Sequence, residues 1–372
     1  MSHARVMPSA LHLTVPCAFS LIAQEQVPPA PATDEELEGE AAHWVAMKVA
    51  SRARTFTLGE KFTHGGKEWE ATDEMLDGAA IYARECSIAG RFEDPVSIPD
   101  IHATLCWGTP DWWQLIQSLG FLKVVDYKYG HRWIEVYEHY QLIAYAAGVA
   151  RLLNLPLDFP VHLCIVQPRA YGAEGPVREW SLTVAEVYAY CAQIIAPKVA
   201  EALGPEPKAT TGRHCIDCKA RHACQTYRYT NANLVDFSMR GVIEHLTPEQ
   251  MGQELRVLKE AIKRLEGRFD GLHAQAENLA RAGHNIPFWQ MQQSVGRLKW
   301  KDDTTVDAVS GLGDLLGFDL RKPVALITPT QAKDKGIDEA IILQYASRPN
   351  GALKLVPVNT TAARKKLGVK KV

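Results

Sequence analysis

Apolar and polar positions recur along this chain with more than one period, and the changes of period mark its elements. The first 33 residues close in "VPPAPAT", a Pro/Ala stretch that reads as a linker turn. Asp34 stands where an N-cap belongs, ahead of the helix-patterned "EELEGEAAHWVAMKVASRA". A second, alanine-rich helix is expected over residues 75–95. Short apolar runs broken by Gly, Pro and polar turns follow in "ATLCWGTPD", "WWQLIQSL" and "FLKVVDYKYG", the pattern of strands. "EVYEHYQLIAYAAGVARLLN" returns to helical spacing, and "VHLCIVQP" reads as a buried strand. The order helix, three strands, helix, strand predicts a mixed α/β core.

A helix near "LTVAEVYAYCAQIIAPKVAEAL" leads through a Pro/Lys/Thr loop into "HCIDCKARHAC". Residues 247–283 are the most regular segment. Leu255, Leu258, Ile262, Leu265, Phe269, Leu272, Ala276 and Leu279 follow at spacings of three and four, an a/d heptad seam. That seam predicts a long helix packed on its own chain, with a homo-oligomeric coiled coil as the alternative. Residues 284–372 read as a small separate module. It holds short helices near "TVDAVSGLGDLLG" and "TPTQAKDKG" and a basic tail, "ARKKLGVKKV". The tail is expected to be solvated, with phosphate contact as the alternative. Three regions result: a core at 1–235, the long helix at 236–283 and the C-terminal module at 284–372.

The 372 residues carry 41 basic and 43 acidic side chains, a net charge of −2. Bulk charge therefore points to no nucleic-acid partner, and any phosphate-binding surface must be local. No run reaches the roughly 18 apolar residues of a membrane span. The N-terminal "MSHARVMPSALHLTVPCAFSLIAQE" is interrupted by Pro8, His12, Thr14 and Pro16, so it reads as part of the mature fold. A cytoplasmic protein is expected, and its eight cysteines are then thiols or metal ligands.

In a strand, residues i and i+2 share a face, so Asp126 and Lys128 would project together from the end of "FLKVVDYK", with Val125 and Tyr127 opposite. Asp111 follows "WGTP" and can meet Asp126 if the intervening segment is a hairpin. Two carboxylates at one point repel unless a cation such as Mg²⁺ or Mn²⁺ neutralises them. Lys128 would orient or deprotonate a metal-activated water. Gln141 and Tyr145 share a face of the following helix, and His43 lies on the first one. A surface ion pair and packing histidine are the plainer readings of the same residues.

The order "EGEAAH", "WGTPD", "VVDYK" and "QLIAY" resembles the RecB-like branch of the PD-(D/E)XK nucleases. The resemblance implies a restriction-endonuclease-like α/β core with a mixed central sheet flanked by helices. It implies that His43, Asp111, Asp126 and the backbone carbonyl of Tyr127 bind the metal. Lys128 would be the catalytic lysine, with Gln141 and Tyr145 supporting the site and contacting DNA. The implied activity is hydrolysis of DNA phosphodiesters, as an exonuclease of phage replication or recombination in the bacterial cytoplasm, beside an annealing protein or helicase. A DNA-binding or assembly subunit with an unused nuclease fold is the alternative.

Cys215, Cys218 and Cys224 form C-x2-C-x5-C, three soft ligands within ten residues. A closed site needs a fourth, and His214, His222 or a distant cysteine could supply it. Cys86, Cys106, Cys164 and Cys191 read as core, whereas Cys17 sits in a loop-like stretch. The placement of Cys17 before the core and three cysteines after it is similar to that of iron–sulfur nucleases such as AddB and the CRISPR adaptation nucleases. It implies a structural 4Fe–4S cluster on Cys17, Cys215, Cys218 and Cys224, with Zn²⁺ as the alternative. Trp107, Trp112 and Trp113 lie beside the acids, either as core or as base-stacking groups. Arg297, Lys299 and Lys301 around Trp300 suggest a phosphate patch or a solvated strand face. No P-loop and no Ser/His/Asp hydrolase signature is present.

Overall fold

The computed structural model describes residues 4–28, 32–170, 174–239, 246–291 and 360–371. The chain divides into two compact units, residues 1–275 with 357–372, and residues 276–356. The predicted short helices of the C-terminal module and the Arg297–Lys301 patch lie outside the described residues.

The N-terminal segment forms two short helices, α1 (Leu11–Thr14) and α2 (Ser20–Glu25), whose Leu11, Leu13 and Leu21 are buried. Helix α3 (Asp34–Ala50) follows. Its cap is Thr33 rather than Asp34. Thr33 Oγ1 accepts from Glu36 N at 3.2 Å while Glu36 Oε2 accepts from Thr33 N at 2.9 Å, a reciprocal capping box. The hairpin β1 (Lys61–His64) and β2 (Lys67–Glu70) turns through Gly65 and Gly66, both at positive φ. Helix α4 (Asp73–Glu85) stops ten residues short of the expected end at 95. Residues 86–90 turn, and β3 (Arg91–Phe92) pairs with Trp112 and Trp113 instead.

Strand β4 (Val96–Ser97) pairs with β5 (Trp107–Gly108), so strand takes up two residues of "ATLCWGTPD". Then come β6 (Trp112–Ile116), β7 (Phe121–Tyr127), α5 (Tyr140–Leu152) and β8 (Pro160–Val166). The helix expected over "EVYEHY" begins only at Tyr140, because Glu138 sits at φ 57°, outside helical geometry. Strand β9 (Val177–Thr183) was not anticipated, although its residues alternate buried and exposed. Helices α6 (Val184–Tyr190) and α7 (Ala196–Leu203) continue one another through a single π-helical stretch.

The main sheet has the order β3-β6-β7-β8-β9. Strands β7 and β8 are parallel and the other pairs antiparallel, so the sheet is mixed. The parallel pair requires a crossover, which α5 supplies. Two cores follow from the pleat. Leu122, Val124, Leu163 and Ile165 pack with α5 on one face. Val125, Tyr127, Cys164 and Val166 pack with α3 and α4 on the other. Trp112 and Trp113 enter these cores at 1% and 6% exposure, and Trp112 Nε1 donates to Ser87 O at 3.0 Å. The base-stacking reading of these two residues is therefore corrected to core packing.

Helix α8 (Gln225–Ser238) and the long helix α9 (Pro248–Arg281) complete the larger described elements. Helix α9 packs on its own chain, but not through the heptad seam. Leu255, Ile262 and Leu272 remain exposed, while Ala261, Gly267 and Gly271 are buried. A Cβ at Gly271 would stand 2.7 Å from Arg221 Cγ, and one at Gly267 would stand 3.1 Å from Ile216 Cγ1. Small residues thus set the contact because they let the helix approach. A final helix, α10 (Thr360–Lys366), returns to the first unit.

Candidate functional site

The end of β7 carries the chemistry. Asp126 and Lys128 lie on the α5 side of the sheet, and Lys128 Nζ is 3.0 Å from Asp126 Oδ2. Gln141, in the first turn of α5, donates from Nε2 to Asp126 Oδ1 at 3.0 Å and accepts from Lys128 Nζ at 3.4 Å. One amide therefore holds both charged groups. Asp126 itself is 1% exposed, so these partners are what make its burial tolerable. Burial works to lower the Lys128 pKa, but the adjacent Asp126 and Asp111 carboxylates more than offset it and the net direction is up.

Asp111 reaches the same place from the turn before β6. Its Oδ2 accepts from Tyr127 N at 2.7 Å, tying the turn to the end of β7. Burial, reinforced by the charge of Asp126, raises the Asp111 carboxyl against the opposing influence of His43. His43, on α3, places Nε2 3.6 Å from Asp111 Oδ2, and that nitrogen is buried without a hydrogen-bond partner. The ring of Tyr127 points to the opposite face, stacked 6.0 Å from His43. Tyr145, two turns into the chemistry-bearing face of α5, is buried, and burial raises its hydroxyl pKa. All the acid-site residues named from the sequence thus meet around the end of β7.

The donor set of one imidazole and two carboxylates suits a hard divalent cation. The orphaned His43 Nε2 and the mutual repulsion of Asp111 and Asp126 are the features such an ion would satisfy. Among the described residues, the one group of three metal-type donors within 4.8 Å of one another lies elsewhere, at Glu85, Cys164 and Glu179. Lys123 Nζ already sits between those acids, 2.7 Å from Glu85 and 2.8 Å from Glu179. The donors of His43, Asp111 and Asp126 do not all lie within 4.8 Å of one another.

Two residues near this site were missed. His139 immediately precedes α5, and His12 comes from α1. Both line a cleft of about 340 Å³ with Glu135, Tyr137 and Gln141. Burial pushes His139 down to about 4, so its ring is neutral at pH 7. The spacing His139-x-Gln141 was a visible signal, but nothing in the sequence joined His12 to it.

The cysteine centre draws the N-terminal segment onto "HCIDCKARHAC". Cys17 Sγ accepts from Thr210 N at 3.5 Å, and Cys215 Sγ accepts from Gly212 N at 3.4 Å. Burial, with the neighbouring charges of Cys215, Cys17 and Cys224, pushes the Cys218 thiol up to about 11. Cys17 therefore does join the C-x2-C-x5-C loop. His214 stands among them. Burial would lower its pKa, yet hydrogen bonding to Cys17 and Cys215 brings it up to about 10. Cys86, Cys106, Cys164 and Cys191 are buried free thiols in the cores.

A family model described as "Protein of unknown function (DUF2800)" matches residues 3–362. The chain belongs to the DUF2800 family. No curated protein matches it. In this DUF2800 chain, no described helix is long and apolar enough to cross a membrane.

Proposed function

We propose that this DUF2800 chain is a metal-dependent deoxyribonuclease of PD-(D/E)XK type, acting as an exonuclease on DNA ends in phage replication or recombination. The observation that carries the reading is the joint placement of Asp126, Lys128 and Gln141 at the end of β7, within 3.4 Å of one another, with Asp111 tied to Tyr127 beside them. His43, Asp111, Asp126 and the Tyr127 carbonyl would hold Mg²⁺ or Mn²⁺, which supplies an activated water and neutralises charge on the phosphate. Lys128 offers an ammonium that orients the attacking water and offsets charge growing on the phosphoryl oxygens. Gln141 fixes the distance between that ammonium and Asp126. Tyr145, buried on the same helix, would support the site and contact the DNA strand.

The same reading gives Cys17, Cys215, Cys218 and Cys224 a 4Fe–4S cluster of structural role. The cluster would tie the segment before the core to the loop after it.

Linear and covalently closed circular DNA, each incubated with Mn²⁺ and the full chain, test the exonuclease reading. Consumption of the linear form with the circle spared is the expected result. Nicking of the circle would replace the exonuclease by an endonuclease. Binding without cleavage of either would replace the nuclease by a DNA-binding subunit.

A further inference from the structure

We propose that the basic C-terminal segment is a positioning element of this site, clamping the Glu138–Gln141 turn from which α5 presents Gln141. The sequence suggested a solvated tail. The structure instead seats its cations on carboxylates. Arg364 donates to both oxygens of Glu138, at 3.2 and 3.0 Å. The Lys371 backbone N–H donates to Glu138 at 3.1 Å, and Lys371 Nζ lies 3.0 Å from its other oxygen. Lys365 pairs with Glu174 at 2.8 Å, and Lys370 pairs with Glu186.

Glu138 makes this more than a surface contact. Its side chain is 7% exposed, and among the described residues the one donor it has from outside the tail is Tyr190 Oη at 3.0 Å. Among the described residues the tail supplies the charged partners of Glu138, and without them its carboxylate is left to one neutral donor and to solvent. Glu138 and the tail therefore cover each other, and the contact is multidentate rather than a single surface pair. Glu138 also adopts φ 57°, a backbone conformation that residues with a Cβ hold only when their surroundings impose it.

The chain of contacts leads directly to the acids. Glu138 is followed by His139, the residue that precedes α5, and Gln141 is the second residue of that helix. Lys371 Nζ additionally donates to Tyr140 Oη at 3.1 Å. Gln141 then holds Asp126 and Lys128. The tail thus acts through the turn and touches none of the reacting groups. Its catalytic consequence rests on the nuclease reading above, whereas its positional consequence does not.

The test uses the full chain with Arg364→Ala and Lys371→Ala together, beside Glu138→Gln. Amide exchange over residues 138–144 should quicken by about tenfold or more in each, with β8 unchanged. Adding Glu138→Gln to the double variant should add little, because both remove one interaction. Mn²⁺-dependent digestion should fall by about tenfold in parallel, the effect of a misplaced supporting group. Unchanged exchange would overturn the clamp. So would a rise in digestion, which would make the tail a blocking strap. Inactivity of the wild type would count against the nuclease reading alone, and the exchange comparison would still decide the clamp.

Discussion

At the scale of single residues, Gln141 and Lys128 divide two tasks that are hard to separate by inspection. Lys128 carries charge to the reaction, and Gln141 holds it 3.4 Å away against Asp126. Lys128→Ala should therefore lower digestion by about 10²-fold or more. Gln141→Ala should cost less, about tenfold, with Lys128 still present but free to move. Steady-state digestion rates of the two variants check this order, and equal losses would contradict it. Cysteine substitutions probe the other centre. Cys218→Ser should lower iron and sulfide content of anaerobically prepared protein and lower its melting temperature together, since binding energy at such a centre is folding energy. Loss of zinc with no iron in the wild type would assign the centre to zinc instead. The Asp126/Lys128 pair was legible in the sequence because strand parity alone places i and i+2 on one face. His12 was not, since it reaches the cleft only through tertiary packing of α1.

At the scale of elements, α4 and β7 meet at a glycine. A Cβ at Gly78 would fall 2.5 Å from Tyr127 Oη and 2.9 Å from Pro168 Cγ. Gly78→Ala should destabilise the fold by about 1–3 kcal/mol through overpacking, measured as a fall in denaturant midpoint, and should disturb the Tyr127 backbone that binds Asp111. The tail helix α10 and its turn carry a pH signature. Burial would raise the Glu138 carboxyl, but Arg364 and Lys371 bring it below its ordinary 4.5. A depressed folded value means that the stabilisation is complete above about pH 4.5 and fades as pH falls through that lower value. Protease sensitivity of the C-terminal segment should rise over that acidic interval and stay flat from pH 5 to 8. Element types were readable where periodicity was long, as in α3, α5 and β8. Boundaries failed where side chains decided them. The Thr33–Glu36 box moved the α3 cap by one residue. Pairing with Trp112 and Trp113 turned residues 91–92 from helix into an edge strand.

At the scale of the whole molecule, a mixed sheet between two helical layers brings together four sequence segments that are far apart in the chain. Helix α3 gives His43, the turn before β6 gives Asp111, β7 gives Asp126 and Lys128, and α5 gives Gln141 and Tyr145. This convergence was expected from the resemblance of the motif order to RecB-like nucleases, because strand and helix parity alone join only Asp126 to Lys128 and Gln141 to Tyr145. The sequence did not allow the role of α9 to be foreseen, because a heptad seam says which face is apolar and not which face is packed. Buried Gly267 and Gly271 show that close approach won over hydrophobicity there. Nor did a run of lysines and arginines reveal its acceptors, since Glu138, Glu174 and Glu186 are distant in sequence. The central claim is that the convergence at the end of β7 cuts DNA. The most direct measurement is digestion of end-labelled linear single-stranded and duplex DNA with Mn²⁺ or Mg²⁺, by wild type beside Asp126→Ala and Lys128→Ala. The account predicts metal-dependent release of label by the wild type and its loss in both variants at unchanged folding. Digestion that persists in both folded variants would contradict it.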